Sequence, residues 1–189
     1  MKKPDGNTDF ENKAKQWDQN PVPVKIAQGV GEAMLRELNL RPDMEVLDFG
    51  CGTGLVTLSL QPRVGTITGA DSSQAMIGIL QEKIKHLGVT NVRTQLVDFE
   101  KGGRVEGIFD LIVSSMTLHH VADTETLLKH WHGVLRPGGG RIPLHDPGIR
   151  DELTTRITQP GSAGRTGSET CCFHSGQDGN EYFVVPLKN

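Results

Sequence analysis

The residues able to do chemistry stand at the ends of apolar runs. Val46-Leu47-Asp48-Phe49 leads into Gly50, Gly52 and Gly54 at alternate positions, with Cys51 between the first two. Glycine lacks a Cβ, so such a loop can turn sharply and bring its backbone against a ligand. Asp48 at the mouth of that turn argues against a phosphate and for something cationic or rich in hydroxyls. A dinucleotide loop of the GxGxxG kind would need glycine where Leu55 stands, so a nicotinamide dehydrogenase is disfavoured. Asp71 follows Gly50 by 21 residues, the spacing of an acid that grips a ribose diol. A carboxylate can accept from both hydroxyls at once. Asp98 closes another apolar run and is placed to accept an exocyclic amine. Three carboxylates around one cleft would repel a pyrophosphate and suit a sulfonium-bearing cofactor.

Other residues invite chemistry less. His119 and His120 are candidates for substrate contact or for a general base, and neither is assigned as catalytic. Cys171-Cys172-x-His174 has the look of a metal cluster. Adjacent cysteines lack Cys-x2-Cys geometry and no second ligand pair is near, so no metal is expected. Cys51 reads as a small loop residue rather than a nucleophile.

The elements that must carry these residues alternate between helix-period and strand-like segments from Val22 to Asp146, the pattern of an α/β parallel sheet. Helices are expected over Val24 to Leu38, over Leu55 to Leu60, from a cap at Ser72 or Ser73 to Gly88, and from Asp123 or Thr124 to Leu135. Strands are expected at Glu45 to Phe49, Thr66 to Ala70, Val92 to Val97, Phe109 to Ser115 and Arg141 to His145. Pro143 weakens the last of these, because proline cannot donate to a ladder. After Asp146 the apolar pattern decays, and only Tyr182 to Leu187 reads as a further strand. The organisation is therefore an N-terminal segment over 1–20, one ligand-binding domain over 21–147 and a tail over 148–189. That tail is irregular, disordered or divergent.

Bulk properties exclude some classes. A chain of 189 residues can bury a substantial core. Its net charge of -3 and pI near 6.2 give no basic footprint for nucleic acid. Aromatic content of 5% leaves few stacking platforms for bases. Three cysteines make no disulfide framework, and no apolar run approaches the about 18 residues of a membrane span. A cytoplasmic protein without a membrane or nucleic-acid partner is the expectation; oligomeric state is not legible.

In this order the motifs resemble the class I S-adenosylmethionine-dependent methyltransferases, in particular the small-molecule methyltransferase-domain families. The resemblance runs from Phe10 to Asp146. It includes Phe10 to Trp17-Asp18, Asp48-x-Gly50-x-Gly52-x-Gly54, Gly69-Ala70-Asp71, Val97-Asp98-Phe99, Phe109-Asp110-Leu111-Ile112 and Leu135-Arg136-Pro137-Gly138-Gly139. It implies a Rossmann-like doubly wound, mostly parallel sheet with helices on both faces, its C-terminal part open to being incomplete. By the same likeness the cofactor is S-adenosyl-L-methionine. Asp48, Gly50, Cys51, Gly52 and Gly54 would pack against its methionine portion, Asp71 against the ribose, Asp98 and Phe99 against the adenine, and Ser114 and Ser115 at its rim, with Ser72 also among the cofactor-binding residues. Asp110 would be structural. Ser114-Ser115-Met116-Thr117 is unlike the Asp/Asn-Pro-Pro-Tyr/Phe run of amino-methylating DNA enzymes, which favours a small-molecule acceptor. The rival is a cofactor-binding protein without turnover, motivated by the weak tail.

Overall fold

The computed structural model describes residues 6–136, 141–145, 172–175 and 181–186. Helices α1 (Gly6–Trp17) and α2 (Pro21–Glu37) precede strand β1 (Glu45–Phe49). Then come α3 (Leu55–Leu60), β2 (Thr66–Asp71), α4 (Gln74–Leu87), β3 (Val92–Leu96) and β4 (Leu111–Ser115). Helix α5 (Thr124–Val134) and strands β5 (Arg141–His145), β6 (Cys172–Ser175) and β7 (Glu181–Pro186) follow. All strands join one sheet in the order β3-β2-β1-β4-β5-β7-β6. The pairs from β3 through to β5 are parallel, and β7 runs antiparallel to both β5 and β6. Chain order reverses between β1 and β4, and ligands of open α/β sheets bind outside the strand ends at such a point.

Capping explains where the helices begin. Asn20 accepts the Val22 N–H, with Pro21 at the first helical position, so α2 starts ahead of its apolar period. Ser73, not Ser72, caps α4 by accepting the Met76 N–H, and Gly88 ends it in the left-handed conformation. Asp123 accepts the Thr126 N–H at the start of α5.

Strand alternation sorts the core into two layers. Val46, Leu111 and Val113 pack with Val30, Met34, Val56 and Leu60 of α2 and α3. Leu47, Phe49 and Ile112 pack on the other face with Leu127 and Trp131 of α5. The run Leu111-Ile112-Val113 is buried throughout, as expected of a strand covered on both sides. Asp110 accepts the Glu45 N–H at 2.8 Å and pairs with Arg136, which makes it a brace between strand starts.

Two elements were not foreseen from the sequence, or only in outline. The polar N-terminal segment contains α1, whose buried Ala14 reflects docking rather than an apolar period. The strand expected at Tyr182 to Leu187 is β7, which pairs with β5, Pro143 lying opposite Val184, and β6, not expected, forms the far edge. The four residues of β6 are too few for a period to show. Cys171, Asp146, residues 137–140 and most of the stretch from Gln159 to Gly179 lie outside the described residues. Among the described residues no three His, Cys, Asp or Glu side chains cluster to hold a metal. No helix there is long and apolar enough to cross a membrane.

Candidate functional site

A cavity of about 320 Å³ opens at the point of strand reversal. Its floor is the glycine loop. Gly50 and Cys51 both donate to the Ala70 carbonyl, at 2.7 and 3.1 Å, folding the loop back over β2. Gly50 holds φ 75, and a Cβ there would collide with the Thr117 side chain. Gly52 holds φ 54, and a Cβ there would meet nothing within 4 Å. One glycine allows close packing and the other opens the floor to the cavity.

Two carboxylates stand beside this loop. Asp71 accepts the Gly52 N–H at 2.8 Å on one oxygen and the Ser73 N–H at 2.9 Å on the other. Each oxygen retains further acceptor capacity. Burial raises the Asp71 pKa, against the pull of its backbone donors. Asp48 is 2% exposed and accepts the Thr57 hydroxyl at 2.6 Å. Burial drives its pKa from 3.8 to about 6, Thr57 opposes that rise and nearby Asp71 adds to it. Holding one buried and one half-buried acid side by side without a cation is unfavourable, so the pair is preset for a positive ligand.

The remaining sequence candidates separate. Cys51, Ser72, Asp98, Phe99, Ser115, His119 and His120 line the cavity with the two acids. Burial pushes the Cys51 thiol well above its usual range, which suits a packing residue. Asp98 accepts the Lys101 N–H at 3.2 Å and its ammonium at 2.7 Å, so it also ties its own loop. Arg104 covers the Phe99 ring from 4.3 Å. Ser114 does not line the cavity: it donates to the Phe49 carbonyl at 2.8 Å, across to the neighbouring strand. Gly54 does not line it either. It starts α3 at φ 83, where a Cβ would run into Leu80.

Sequence reasoning missed the cover. Phe10 and Trp17 of α1, Pro23, Ile26 and Ala27 of α2, and Met116 and Thr117 after β4 also line the cavity. Ion pairs and hydrogen bonds attach α1. Asp18 accepts the Thr53 hydroxyl at 2.6 Å and pairs with Lys83, which also donates to the Thr53 carbonyl at 2.8 Å. Glu11 accepts the Ser73 hydroxyl at 2.9 Å and the Ala75 N–H at 3.2 Å, favourable for an acid at the N-terminus of α4. The available signal was Phe10 and Trp17 seven positions apart, on one helical face, in an aromatic-poor chain.

With that geometry established, known proteins offer a reference. Residues 46–139 match the family model described as a methyltransferase domain. The chain is 35% identical over 96 residues to the ubiquinone biosynthesis O-methyltransferase of Rhizobium leguminosarum bv. trifolii, covering 51% of this chain and 38% of that one. It is 27% identical over 140 residues to the demethylmenaquinone methyltransferase of Geobacillus stearothermophilus, covering 71% and 60%. The matched stretches thus span less than two thirds of those relatives. In fold, it resembles a SAM dependent methyltransferase from Aquifex aeolicus with a TM-score of 0.71 at 19% identity, over 93% of this chain and 98% of that one.

Proposed function

Given that residues 46–139 make this chain a member of the methyltransferase-domain family, we propose that it is a class I S-adenosylmethionine-dependent methyltransferase acting on a small molecule. One observation carries the reading: a buried acid, Asp48, and a half-buried one, Asp71, both with raised pKa values, flank an open glycine floor at the strand reversal. A sulfonium nucleoside fits that donor set. Its charge offsets the acids, and its ribose hydroxyls meet the acceptor capacity left on Asp71. Asp98 and the Phe99 backbone serve the adenine. The Gly50 to Gly52 backbone and Asp48 serve the methionine portion, with Ser72 and Ser115 at the rim. The cofactor brings an activated methyl group and a neutral leaving sulfide, so the chain's task is alignment and exclusion of water. His119 and His120 are the candidates for contact with the acceptor. Its nucleophile, an oxygen, nitrogen, sulfur or carbon, is left open by this geometry.

The small-molecule assignment draws support from the two named relatives and from the enclosed, largely apolar cover. A nucleic-acid acceptor is disfavoured by the net charge of -3. A binding protein without turnover is the second reading. It drew on the weak tail and on Pro143 in the fifth strand, and the pairing of β7 with β5 across Pro143 speaks against it.

Calorimetry with S-adenosylhomocysteine tests the site. Wild type is expected to bind in the micromolar range, about -8 kcal/mol, and Asp71→Ala to lose at least about tenfold. Equal affinity in both proteins would overturn the ribose assignment. Turnover across a panel of small acceptors then separates enzyme from binding protein.

A further inference from the structure

We propose that the acceptor is an uncharged, ring-bearing small molecule, seated under α1 against Phe10, Trp17 and His120. This rests on the methyltransferase reading, which reserves the acidic wall for the cofactor. The residues left to receive an acceptor are mainly apolar or aromatic, Phe10, Trp17, Ile26, Ala27 and Met116 among them. Three rings form a continuous surface. Phe10 meets Trp17 edge-on at 5.8 Å and 63°, and meets His120 at 5.2 Å and 80°. His119 adjoins His120, tilted by 47° with ring centroids 3.9 Å apart. Edge-to-face pairs fix ring orientation, and a flat aromatic guest gains contact and quadrupole attraction on such a wall.

Charge narrows the choice further. Asp48, Asp71, Asp98 and Glu100 line the cavity, and among its described lining residues there is no lysine or arginine. The ammoniums next to this lining are engaged: that of Lys101 pairs with Asp98, and that of Lys83 with Asp18 and the Thr53 carbonyl. A carboxylate or phosphate acceptor would be desolvated beside four acids with no lysine or arginine of the lining to pair with, and would compete with those acids for the sulfonium. A neutral ring avoids that cost. Any hydroxyl or amine that it carries comes to lie beside the imidazole rings of His119 and His120, which line the cavity. Met116 supports the same chemistry at the rim. It holds φ 56 and is 38% exposed, an unusual backbone conformation for a substituted residue. Its thioether adapts to aromatic edges.

The test compares naphthol with naphthoate by calorimetry, on wild type with and without saturating S-adenosylhomocysteine. Naphthol is expected to bind more tightly by about tenfold or more. It should also change Trp17 fluorescence, since the other tryptophan, Trp131, is fully buried in the core. Phe10→Leu, which keeps an apolar cover, should weaken naphthol about fivefold while S-adenosylhomocysteine affinity stays within about threefold. Naphthoate binding as tightly as naphthol sinks the proposal, and so does naphthol binding that ignores both Phe10→Leu and Trp17→Ala. Failure of S-adenosylhomocysteine alone, with naphthol still preferred, removes the cofactor reading and leaves the acceptor wall standing.

Discussion

The two walls of the cavity are held by different kinds of bond. On the acidic wall, Asp71 is fixed by backbone N–H groups of Gly52 and Ser73, and Asp48 by the hydroxyl of buried Thr57. Those donors belong to the sheet ends and to the helices that start there, so the acids are in place before a ligand arrives. The cover is attached by side chains of α1 and of the turn that follows it: Asp18 to Thr53 and Lys83, Glu11 to Ser73 and Ala75. Partly exposed ion pairs of this type contribute little and are screened by salt. The floor is thus built to be rigid and the cover to be detachable, which fits a site whose ligands must enter and leave.

If that contrast is right, damage to the floor should be severe and damage to the cover mild. Gly50→Ala is the harshest case. Its Cβ strikes Thr117 and its φ of 75 lies in the left-handed region. A loss of roughly 4 kcal/mol in urea unfolding is expected, with S-adenosylhomocysteine binding abolished. A change below about 1 kcal/mol would mean that the loop is not tightly packed.

Asp48 tests the wall's electrostatics. Its folded pKa is raised from 3.8 to about 6, so the native state holds a proton that the unfolded chain has released. Stability should therefore fall as pH rises from about 4 to about 6 and level off above, by about 3 kcal/mol at most. Asp71, raised by the same burial, adds in the same direction. Asp48→Asn keeps an acceptor for Thr57. It should remove most of that slope and leave the variant more stable than wild type above pH ~6. Parallel pH profiles for the two proteins would refute the buried-acid account.

The cover should respond least. Lys83 and Asp18 are each partly exposed, with side chains 24% and 34% accessible. Lys83→Met is expected to cost about 0.5 kcal/mol, yet to speed protease cleavage within α1 and to shift Trp17 emission. High salt should do the same to wild type. A rigid α1 in Lys83→Met would show that the cover depends on its aromatic contacts and not on the ion pair.

How much was readable follows the same division. Strands β1 and β5 and helix α3 fall on their expected residues, because short apolar runs bounded by glycine, proline or aspartate carry local signals. The acids were legible because they sit at strand ends, whose positions are set by those runs. Helix α1 was not: its sequence from Gly6 to Trp17 is polar, and its reasons for docking are partners far along the chain, Ser73 and Ala75 for Glu11 and His120 for Phe10. Ser114 and Gly54 were assigned to the ligand by motif alone. Only the register, which sets Ser114 beside Phe49, and the packing of Leu80 near Gly54 redirected them.

Alternation of apolar and polar residues, with glycines that permit a tight return, was enough to dictate a parallel sheet with acids at its tips. Side-chain direction in a strand follows from backbone geometry, so it can be counted along the chain. Which faces close over those tips depended on contacts between segments far apart in sequence, Phe10 on His120 and Asp18 on Lys83. Such pairings obey no period, and only the folded arrangement brings them together.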